Sequence, residues 1–267
     1  MAAGPRLELE GVSKRFGRVT VADSLSLAVG RSETLGIVGP NGAGKTSVFG
    51  LISGDLAPDQ GRVVFEGEAM THLDSSRRCR LGIGRTYQVP RPFEQMTVFE
   101  NVLVAAQAGA RLKRAGAQQL AWSVLSDTGL ASIANRPAGQ LGLMHRKRLE
   151  LARALATRPR LLLLDEVAAG LTDREVSELV AIVVDARDRL GAEDGLSIIW
   201  VEHVVRALVT AVDRLICLDV GLIVADGPPE EVLADQRVKD VYLGADVVLP
   251  AEPPGGHADL LDVGGDR

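Results

Sequence analysis

The chain has 267 residues and a mass of 28.3 kDa, enough to bury a substantial core as one large domain or two small ones. Its 30 basic and 35 acidic residues leave a net charge of −5, which argues against a protein held on nucleic acid by bulk charge. No apolar stretch approaches the roughly 18 residues of a membrane-spanning helix, and Cys79 and Cys217 lack metal-ligand spacing.

The first elements in chain order are predicted to be short β-strands. Residues 7–29 alternate apolar and polar side chains, which indicates an antiparallel sheet region at the start of the chain. ETLGIVG (33–39) is typical of a buried strand that enters a glycine-rich loop, and the polar residues after Gly44 predict the start of a helix. RVVFEGE (62–68) predicts one further strand.

A helical block follows in the middle of the chain. Residues 97–157 have helix-like spacing of apolar residues. We expect breaks in this block near Gly109, Gly116, Gly129 and Pro137.

The rest of the chain alternates strands and helices. LLLLDE (161–166) and SIIWVE (197–202) are apolar runs with acidic ends, the pattern of parallel strands covered on both faces. Residues 173–190 between them predict a charged amphipathic helix. Residues 214–227 predict a hairpin, and 229–235 predict a helix that begins at proline.

The end of the chain has a different composition. Residues 250–267 are rich in Pro, Gly and Asp, and they hold Glu252, Asp259, Asp262 and Asp266 against Arg267. We expect a disordered acidic tail that carries much of the net charge.

The strongest motif is a phosphate loop between the third predicted strand and the following helix. GPNGAGKTS has the spacing of glycine, four residues, glycine, lysine and serine or threonine. Its backbone N–H groups and the helix N-terminus would surround phosphate oxygens, while Lys45 would reach the β- and γ-phosphates of ATP and Thr46 would bind Mg²⁺. The predicted ATP-binding residues are Gly39, Pro40, Asn41, Gly42, Ala43, Gly44, Lys45, Thr46 and Ser47.

Two adjacent carboxylates at the end of LLLLDE provide the second half of such a site. Asp165 would hold Mg²⁺ through water. Glu166 would act as the general base that activates the attacking water.

Together with Gln88, His203 and Phe16, these motifs resemble the ATP-binding subunit of ABC transporters over roughly residues 6–244. The resemblance implies that Gln88, in GRTYQ, joins Mg²⁺ and the water to a transmembrane partner. It implies that His203, in IIWVEH, contacts the γ-phosphate, and that Phe16, in SKRFG, stacks on adenine. In isolation, Gln88 and His203 would pass for surface residues and Phe16 for a core residue.

This resemblance also implies an α/β P-loop NTPase fold. An ABC ATPase domain over residues 1–249 would have an N-terminal antiparallel β region and an inserted helical subdomain at about 91–159. The chain is further similar to the ATPase of branched-chain amino-acid importers. The segments that carry this likeness are RTYQVPRPFEQMTVFENVLVA (85–105), DEVAAGLTDRE (165–175) and VYLGA (241–245).

The importer resemblance implies the partners. The chain would sit at the cytoplasmic face of the membrane and hydrolyse Mg²⁺-ATP to power transmembrane permease subunits, supplied by an extracytoplasmic substrate-binding protein. The cargo would be branched-chain amino acids or related small polar solutes. Exposed Arg91, Pro92 and Phe93 are candidates for the permease contact, although Phe93 could equally have a packing role.

The sequence departs from the family at the signature loop, usually Leu-Ser-Gly-Gly-Gln, which contacts the γ-phosphate of a partner cassette. Counting back from the predicted helix at 146–155 places Gly142, Leu143, Met144 and His145 at the last four signature positions. The serine hydroxyl, a glycine that permits close approach and the glutamine are replaced. Helix-dipole attraction at residue 146 should survive. Val167 and Thr172 are smaller departures, where proline and asparagine are usual.

Three hypotheses about the function are open. The first is an energy-coupling ATPase that drives a separate membrane channel. The degraded signature predicts that this ATPase works in a heterodimer, where the intact ATP site of this chain meets a normal signature loop from a second ABC ATPase. The second is a regulatory subunit that binds ATP with little turnover. The third is a soluble ABC protein of translation or DNA repair, whose usual paired cassettes or long coiled-coil insertions are missing from this sequence.

Overall fold

The computed structural model describes residues 4–190, 195–202 and 208–243. Its strands include β1 (Leu7–Phe16), β2 (Val19–Val29), β3 (Thr34–Val38), β4 (Gln60–Phe65), β5 (Glu68–Ala69), β6 (Ile83–Arg85), β7 (Leu161–Asp165), β8 (Ser197–Val201), β9 (Arg214–Asp219) and β10 (Leu222–Gly227). Its helices include α1 (Lys45–Ser53), α2 (Ser75–Arg80), α3 (Val98–Ala108), α4 (Arg114–Asp127), α5 (Leu143–Ala156), α6 (Asp173–Leu190), α7 (Pro229–Ala234) and α8 (Gln236–Leu243).

Two sheets organise these elements. The first has the order β2-β1-β4-β5 with antiparallel pairing, as predicted for the start of the chain. The second has the order β10-β9-β3-β8-β7-β6; its neighbours are parallel except for the β9–β10 hairpin. The parallel strands and the hairpin predicted from the sequence are therefore confirmed.

The parallel sheet separates two apolar cores, and β7 contributes to both. Leu161 and Leu163 belong to the cluster shared with α1 and the antiparallel sheet, whereas Leu162 and Leu164 belong to the cluster shared with the helices. All four leucines are fully buried. The run is continuously apolar because both faces of the strand are covered.

The helices α3, α4 and α5 lie between β6 and β7 in the chain. Helix α3 begins with a capping box in which Thr97 and Glu100 exchange hydrogen bonds. The expected break at Gly116 is wrong, because Gly116 lies in the first turn of α4. A single glycine costs a helix only about 1 kcal/mol, and the burial of Ala117 and Ala121 offsets this cost. The subdomain limits of about 91–159 stay a prediction.

The strand predicted at 62–68 is a hairpin instead. Glu66 and Gly67 both have positive φ, +52° and +81°, as two-residue turns between antiparallel strands require. The chain therefore reverses after Phe65 and pairs back through Glu68. Among the described residues, no helix is both long and apolar enough to cross a bilayer. The predicted tail at 250–267 lies outside the described residues.

Candidate nucleotide-binding and catalytic site

The phosphate loop joins β3 to α1 and fits tightly between neighbouring strands. A Cβ atom at Gly39 would lie 2.2 Å from the Leu218 carbonyl oxygen, and one at Gly44 would lie 2.3 Å from the Val21 carbonyl oxygen. Gly44 also has a φ of +104° as the N-cap of α1. These positions require glycine because a side chain would collide with backbone and would strain the left-handed conformation.

A cavity of about 280 Å³ opens at this loop. The backbone N–H of Gly221 holds one side of the loop by donating to the Ala43 carbonyl at 2.9 Å. The first turn of α1 has no side-chain cap, so its N–H groups remain available to an anion. The cavity is lined by Val19, Val21, Asn41, Gly42, Ala43, Gly44, Lys45, Thr46, Ser47 and Glu166.

Lys45 is buried and lies over the loop. Its Nζ donates to the carbonyl oxygens of Gly39 at 2.6 Å and Pro40 at 2.9 Å. Burial lowers the pKa of Lys45, and the nearby Glu166 carboxylate partly opposes this shift. An incoming phosphate would therefore replace two carbonyl acceptors with charged oxygens, which form stronger hydrogen bonds with an ammonium group.

Asp165 ends β7 and is almost fully buried. Its Oδ2 accepts from Arg85 Nη2 at 3.0 Å, and its backbone N–H donates to Thr86 Oγ1 at 3.1 Å. Burial raises the pKa of Asp165, against the opposing effect of Arg85. In the part of the chain that the structure describes, Oδ1 is buried and lacks a hydrogen-bond partner. An orphaned carboxylate oxygen of this kind fits a ligand role toward Mg²⁺.

Glu166 has an unusual backbone conformation. Its φ is +46°, a region in which non-glycine residues are strained and which is enriched at functional sites. The backbone N–H of Glu166 donates to the Val201 carbonyl at 2.9 Å, which fixes this turn to β8. Gln88 Nε2 donates to Glu166 Oε2 at 2.5 Å, across 78 residues of sequence. The structure thus brings these two predicted site residues together.

Phe16 lies at the end of the β1–β2 hairpin, opposite Val19. Its side chain is 52% exposed, unlike the core residue that Phe16 would suggest in isolation. Val19 and Val21 of the same hairpin line the phosphate cavity, whereas Phe16 does not. The Lys14 ammonium lies 5.6 Å from the centre of the Phe16 ring. His203 lies outside the described residues.

Arg85 is a site residue that the sequence did not reveal. It bonds Asp55 Oδ2 at 2.9 Å as well as Asp165, and its guanidinium lies 5.1 Å from the centre of the Tyr87 ring. The sequence signal was its place in GRTYQ, which carries the family likeness but gave Arg85 no role of its own. Its position at the end of β6, beside β7 in the sheet, brings it to Asp165.

Glu202, which directly follows β8, was also missed. It is 2% exposed, and its Oε1 accepts from the Ala168 N–H at 2.7 Å and from Trp200 Nε1 at 3.4 Å. Burial raises the pKa of Glu202 to about 7. The available signal was the acidic end of SIIWVE, which resembles the acidic end of LLLLDE.

The comparison with protein families decides what this site belongs to. The ABC transporter family model matches residues 22–169. The chain belongs to the ABC transporter ATP-binding family. A second model, described as branched-chain amino acid ATP-binding cassette transporter, matches residues 223–248.

Relatives of this ABC ATPase cover nearly its whole length. It is 34% identical over 254 residues to the high-affinity branched-chain amino acid transport ATP-binding protein BraF of Pseudomonas aeruginosa, covering 90% of this chain and 98% of BraF. It is 34% identical over 238 residues to the lipopolysaccharide export system ATP-binding protein LptB of Haemophilus influenzae, covering 89% and 97%.

A solved structure agrees with these relatives. The ADP conformation of an ATP-binding cassette of an ABC transporter superposes with a TM-score of 0.79 and 28% identity, over 90% of this chain and 99% of that one. The predicted fold class and family are confirmed. This ABC ATPase is an ATP-binding, ATP-hydrolysing subunit of a transporter, and the regulatory alternative is not favoured.

The segment predicted to form the signature loop lies at the start of α5. The helix starts at Leu143, with Gly142 as its N-cap, so the expected start at residue 146 is wrong. Leucine and methionine are good helix formers, so Leu143 and Met144 belong to the helix. The segment borders an open depression of about 580 Å³, lined by Gly142, Leu143, Met144, His145, Arg148, Gly170, Leu171, Glu175 and Glu178.

Proposed function

We propose that this chain powers an importer for branched-chain amino acids or related small polar solutes, at the cytoplasmic face of the membrane. The observation that carries the proposal is the family match at residues 223–248. Overall identity does not separate BraF, a branched-chain amino acid transport protein, from LptB, a lipopolysaccharide export protein, since both are 34%. The C-terminal match separates them because its description names branched-chain amino acids.

Uptake of labelled solute tests the cargo. Cells that lack the chain should lose uptake of isotope-labelled leucine, and wild type should restore it while Glu166→Gln should not. Unchanged leucine uptake, with uptake of an amide or of urea lost instead, would reassign the cargo. Unchanged uptake of all three would contradict the import function.

The site supports a specific division of labour in hydrolysis. The phosphate loop and Lys45 would hold the phosphates of ATP, and Phe16 would stack on adenine. Glu166 would accept a proton from the attacking water. The Gln88–Glu166 hydrogen bond of 2.5 Å supports their joint action on that water.

Mg²⁺ and His203 complete the proposed site. Thr46, Asp165 and Gln88 are the proposed metal-binding residues, and the orphaned Oδ1 of Asp165 supports this assignment. Bound Mg²⁺ would neutralise charge on the phosphate oxygens. His203 is proposed to contact the γ-phosphate, as the family resemblance implies.

The signature loop supports a heterodimer. Loss of a hydrogen bond to phosphate costs about 1.5–3 kcal/mol, or about ten- to hundredfold in the interaction. A homodimer of this chain would incur this cost at both sites. We therefore propose that a second ABC ATPase supplies a normal signature loop, while Gly142, Leu143, Met144 and His145 form the impaired site.

An artificial heterodimer tests this asymmetry. One copy is wild type, and the other combines Lys45→Ala with a repaired signature, Gly142→Ser, Leu143→Gly, Met144→Gly and His145→Gln. The mixture should hydrolyse ATP about ten times faster or more than wild type alone, because the missing phosphate contacts return. The control partner carries Lys45→Ala alone. Cooperative turnover by wild type alone, with no gain from the repaired partner, would contradict the heterodimer.

Four exposed apolar residues that follow β6 in the chain support permease docking. We name them the docking patch: Tyr87, Val89, Phe93 and Met96. It adjoins a cavity of about 310 Å³ between the parallel sheet and helices α3 and α5, lined by Ser53, Asp55, Ser75, Ser76, Cys79, Ile83, Gly84, Arg85, Tyr87, Ala105, Glu150, Arg153, Ala154 and Thr157. We propose that a cytoplasmic helix of a permease subunit occupies this groove.

Among the three residues predicted for this contact, Arg91 and Phe93 are exposed but Pro92 is half-buried, so its predicted exposure is wrong. The Arg153 guanidinium lies 5.1 Å from the centre of the Phe93 ring. Its Nη1 also donates to the Arg91 carbonyl at 2.8 Å. These contacts hold the segment on α5 while Phe93 remains 48% exposed.

Co-purification tests the docking patch. Phe93→Ala should reduce recovery of the chain with detergent-solubilised permease subunits, because an exposed aromatic anchor is lost. Trp122→Ala is the matched control, because Trp122 is also an exposed aromatic residue but lies on α4. Equal recovery of both variants would argue against this patch.

A further inference from the structure

A buried lysine on α5 contacts the two chain segments that carry Gln88 and Glu166. Lys147 is 3% exposed, and its Nζ donates to the Gln88 carbonyl at 2.8 Å and the Glu166 carbonyl at 3.0 Å. Both acceptors are main-chain atoms. Lys147 therefore constrains the backbone at these positions directly, whichever side chains they carry.

Burial of this ammonium has a cost. Desolvation lowers the pKa of Lys147, and the nearby carboxylates of Glu202 and Glu166 oppose the shift. A buried charge is tolerated where hydrogen bonds and opposite charges satisfy it. A lysine used only to fill space would bring this cost without a benefit over an apolar residue.

The contacts form a closed arrangement. Gln88 and Glu166 bond each other through their side chains, and Lys147 bonds both through their backbone. Residues 86–92 form no helix or strand. Besides Lys147, this segment is held by the Thr86 N–H, which donates to the Leu163 carbonyl at 2.9 Å, and by Arg153 of α5, whose Nη1 donates to the Arg91 carbonyl at 2.8 Å. Displacement of α5 would thus move both carbonyl contacts and alter the separation of the Gln88 amide from the Glu166 carboxylate.

We propose that Lys147 is a positioning residue for ATP hydrolysis, which fixes Gln88 and Glu166 relative to each other and to the helix of the signature loop. This inference rests on the proposed roles of Gln88 and Glu166. It assigns Lys147 no contact with ATP.

Turnover and binding measured separately on the full-length chain test the proposal. Lys147→Met should lower kcat at least about tenfold, since small misplacement of catalytic groups costs up to about hundredfold, while the Kd for Mg²⁺-ATP stays within about twofold. Lys147→Arg should recover most of the loss because it restores charge and donors. Lys113→Met, at an exposed lysine before α4, is the matched control. An unchanged kcat in Lys147→Met, or a loss confined to Kd, would overturn the proposal.

A double-mutant cycle separates positioning from general stability. Lys147→Met should lower kcat by a smaller factor in a Gln88→Ala background than in wild type, because the separation of the Gln88 amide from the Glu166 carboxylate no longer matters there. Equal factors in the two backgrounds would overturn the proposal. If Gln88→Ala and Glu166→Gln leave turnover unchanged, the proposed catalytic roles fail instead.

Amide hydrogen exchange provides a readout independent of turnover. In Lys147→Met, amides near Gln88 and Glu166 should exchange faster than in wild type, while those of β1 and β4 should not change. Uniformly faster exchange would indicate general destabilisation and overturn the positioning role. If Lys147→Met is insoluble, Lys147→Gln gives the same comparisons, because its shorter amide cannot replace both hydrogen bonds.

Discussion

Two helices of this molecule begin at a glycine N-cap next to a proposed phosphate contact, and the two glycines are constrained in opposite ways. Gly44, before α1, has a φ of +104° and would place a Cβ 2.3 Å from a neighbouring carbonyl oxygen. Gly142, before α5, has a φ of −70°, and a Cβ there would meet nothing within 4 Å. The phosphate loop is fixed by contacts inside its own chain, whereas the signature position is not.

This difference explains which half of the site can diverge. A substitution in the phosphate loop disturbs the fold of the chain that carries it, because Leu218 and Val21 pack against the loop backbone. A substitution at Gly142 meets no atom of its own chain within 4 Å. It would therefore change only the contact that the proposed signature loop makes with ATP bound by a partner cassette. The proposed loss of the signature serine at position 142 therefore leaves the fold and the proposed ATP site of the same chain intact.

The largest expected effect concerns the proposed ATP site of this chain, which carries the phosphate loop and Glu166. Glu166→Gln should reduce ATP turnover by about 10² to 10⁴-fold, because the general base is lost, while Mg²⁺-ATP binding is retained. Phosphate release and nucleotide titration measure the two quantities. Glu230→Gln, at an exposed glutamate of α7, is the control. Undiminished turnover would remove Glu166 from the mechanism.

A matched pair of alanine substitutions tests the contrast between the two N-caps. Gly44→Ala should destabilise the chain on the order of 2–4 kcal/mol, since it combines a left-handed φ with a backbone collision. Gly142→Ala should cost less than about 1 kcal/mol. Thermal unfolding measures both variants, and similar losses would show that the two glycines are equally constrained.

The next effect concerns Glu202, which follows β8. Its Oε1 accepts a hydrogen bond from the Ala168 N–H, in the loop that leads to Gly170. Burial raises the pKa of Glu202 to about 7, so the stability that it contributes is present below the unfolded pKa of about 4.5 and is lost as pH rises through about 7. Glu202→Gln should unfold at about the wild-type temperature at pH 5. At pH 8 the variant should be more stable by on the order of 2–3 kcal/mol.

Thermal unfolding at several pH values checks this dependence. Glu230→Gln should follow wild type throughout, because Glu230 is exposed. A constant difference between Glu202→Gln and wild type from pH 5 to pH 8 would contradict a raised pKa.

Local sequence patterns predicted much of this molecule. The alternation in 7–29 and the apolar run in 161–166 correctly predicted strands. Successive side chains of a strand point to opposite faces of the sheet, so the order of apolar and polar residues shows which faces are buried. The loop between β3 and α1 was equally predictable, because phosphate binding needs fixed residue types at fixed spacing. The start of α5, by contrast, was misplaced at residue 146, because the good helix formers Leu143 and Met144 were not counted as part of the helix.

The missed residues share a physical reason. Lys147 bonds Gln88 across 59 residues, Arg85 bonds Asp165 across 80, and Glu202 bonds Ala168 across 34. Lys147 and Arg85 have no local pattern that marks them as buried, and Glu202 has only the acidic end of SIIWVE. Their burial follows from tertiary packing, which also brings their partners within reach.

The smallest expected effect sharpens the comparison of the two N-caps most directly. Gly142→Ser places a hydroxyl where α5 lacks a side-chain cap, and the open space around Cβ accommodates it. The exchange of a glycine N-cap for serine should stabilise the isolated chain by only a few tenths of a kcal/mol, or about 1 °C in Tm. The same hydroxyl should raise turnover where it meets ATP bound by another copy, so a gain in Tm without any gain in turnover would show that position 142 acts only within its own helix.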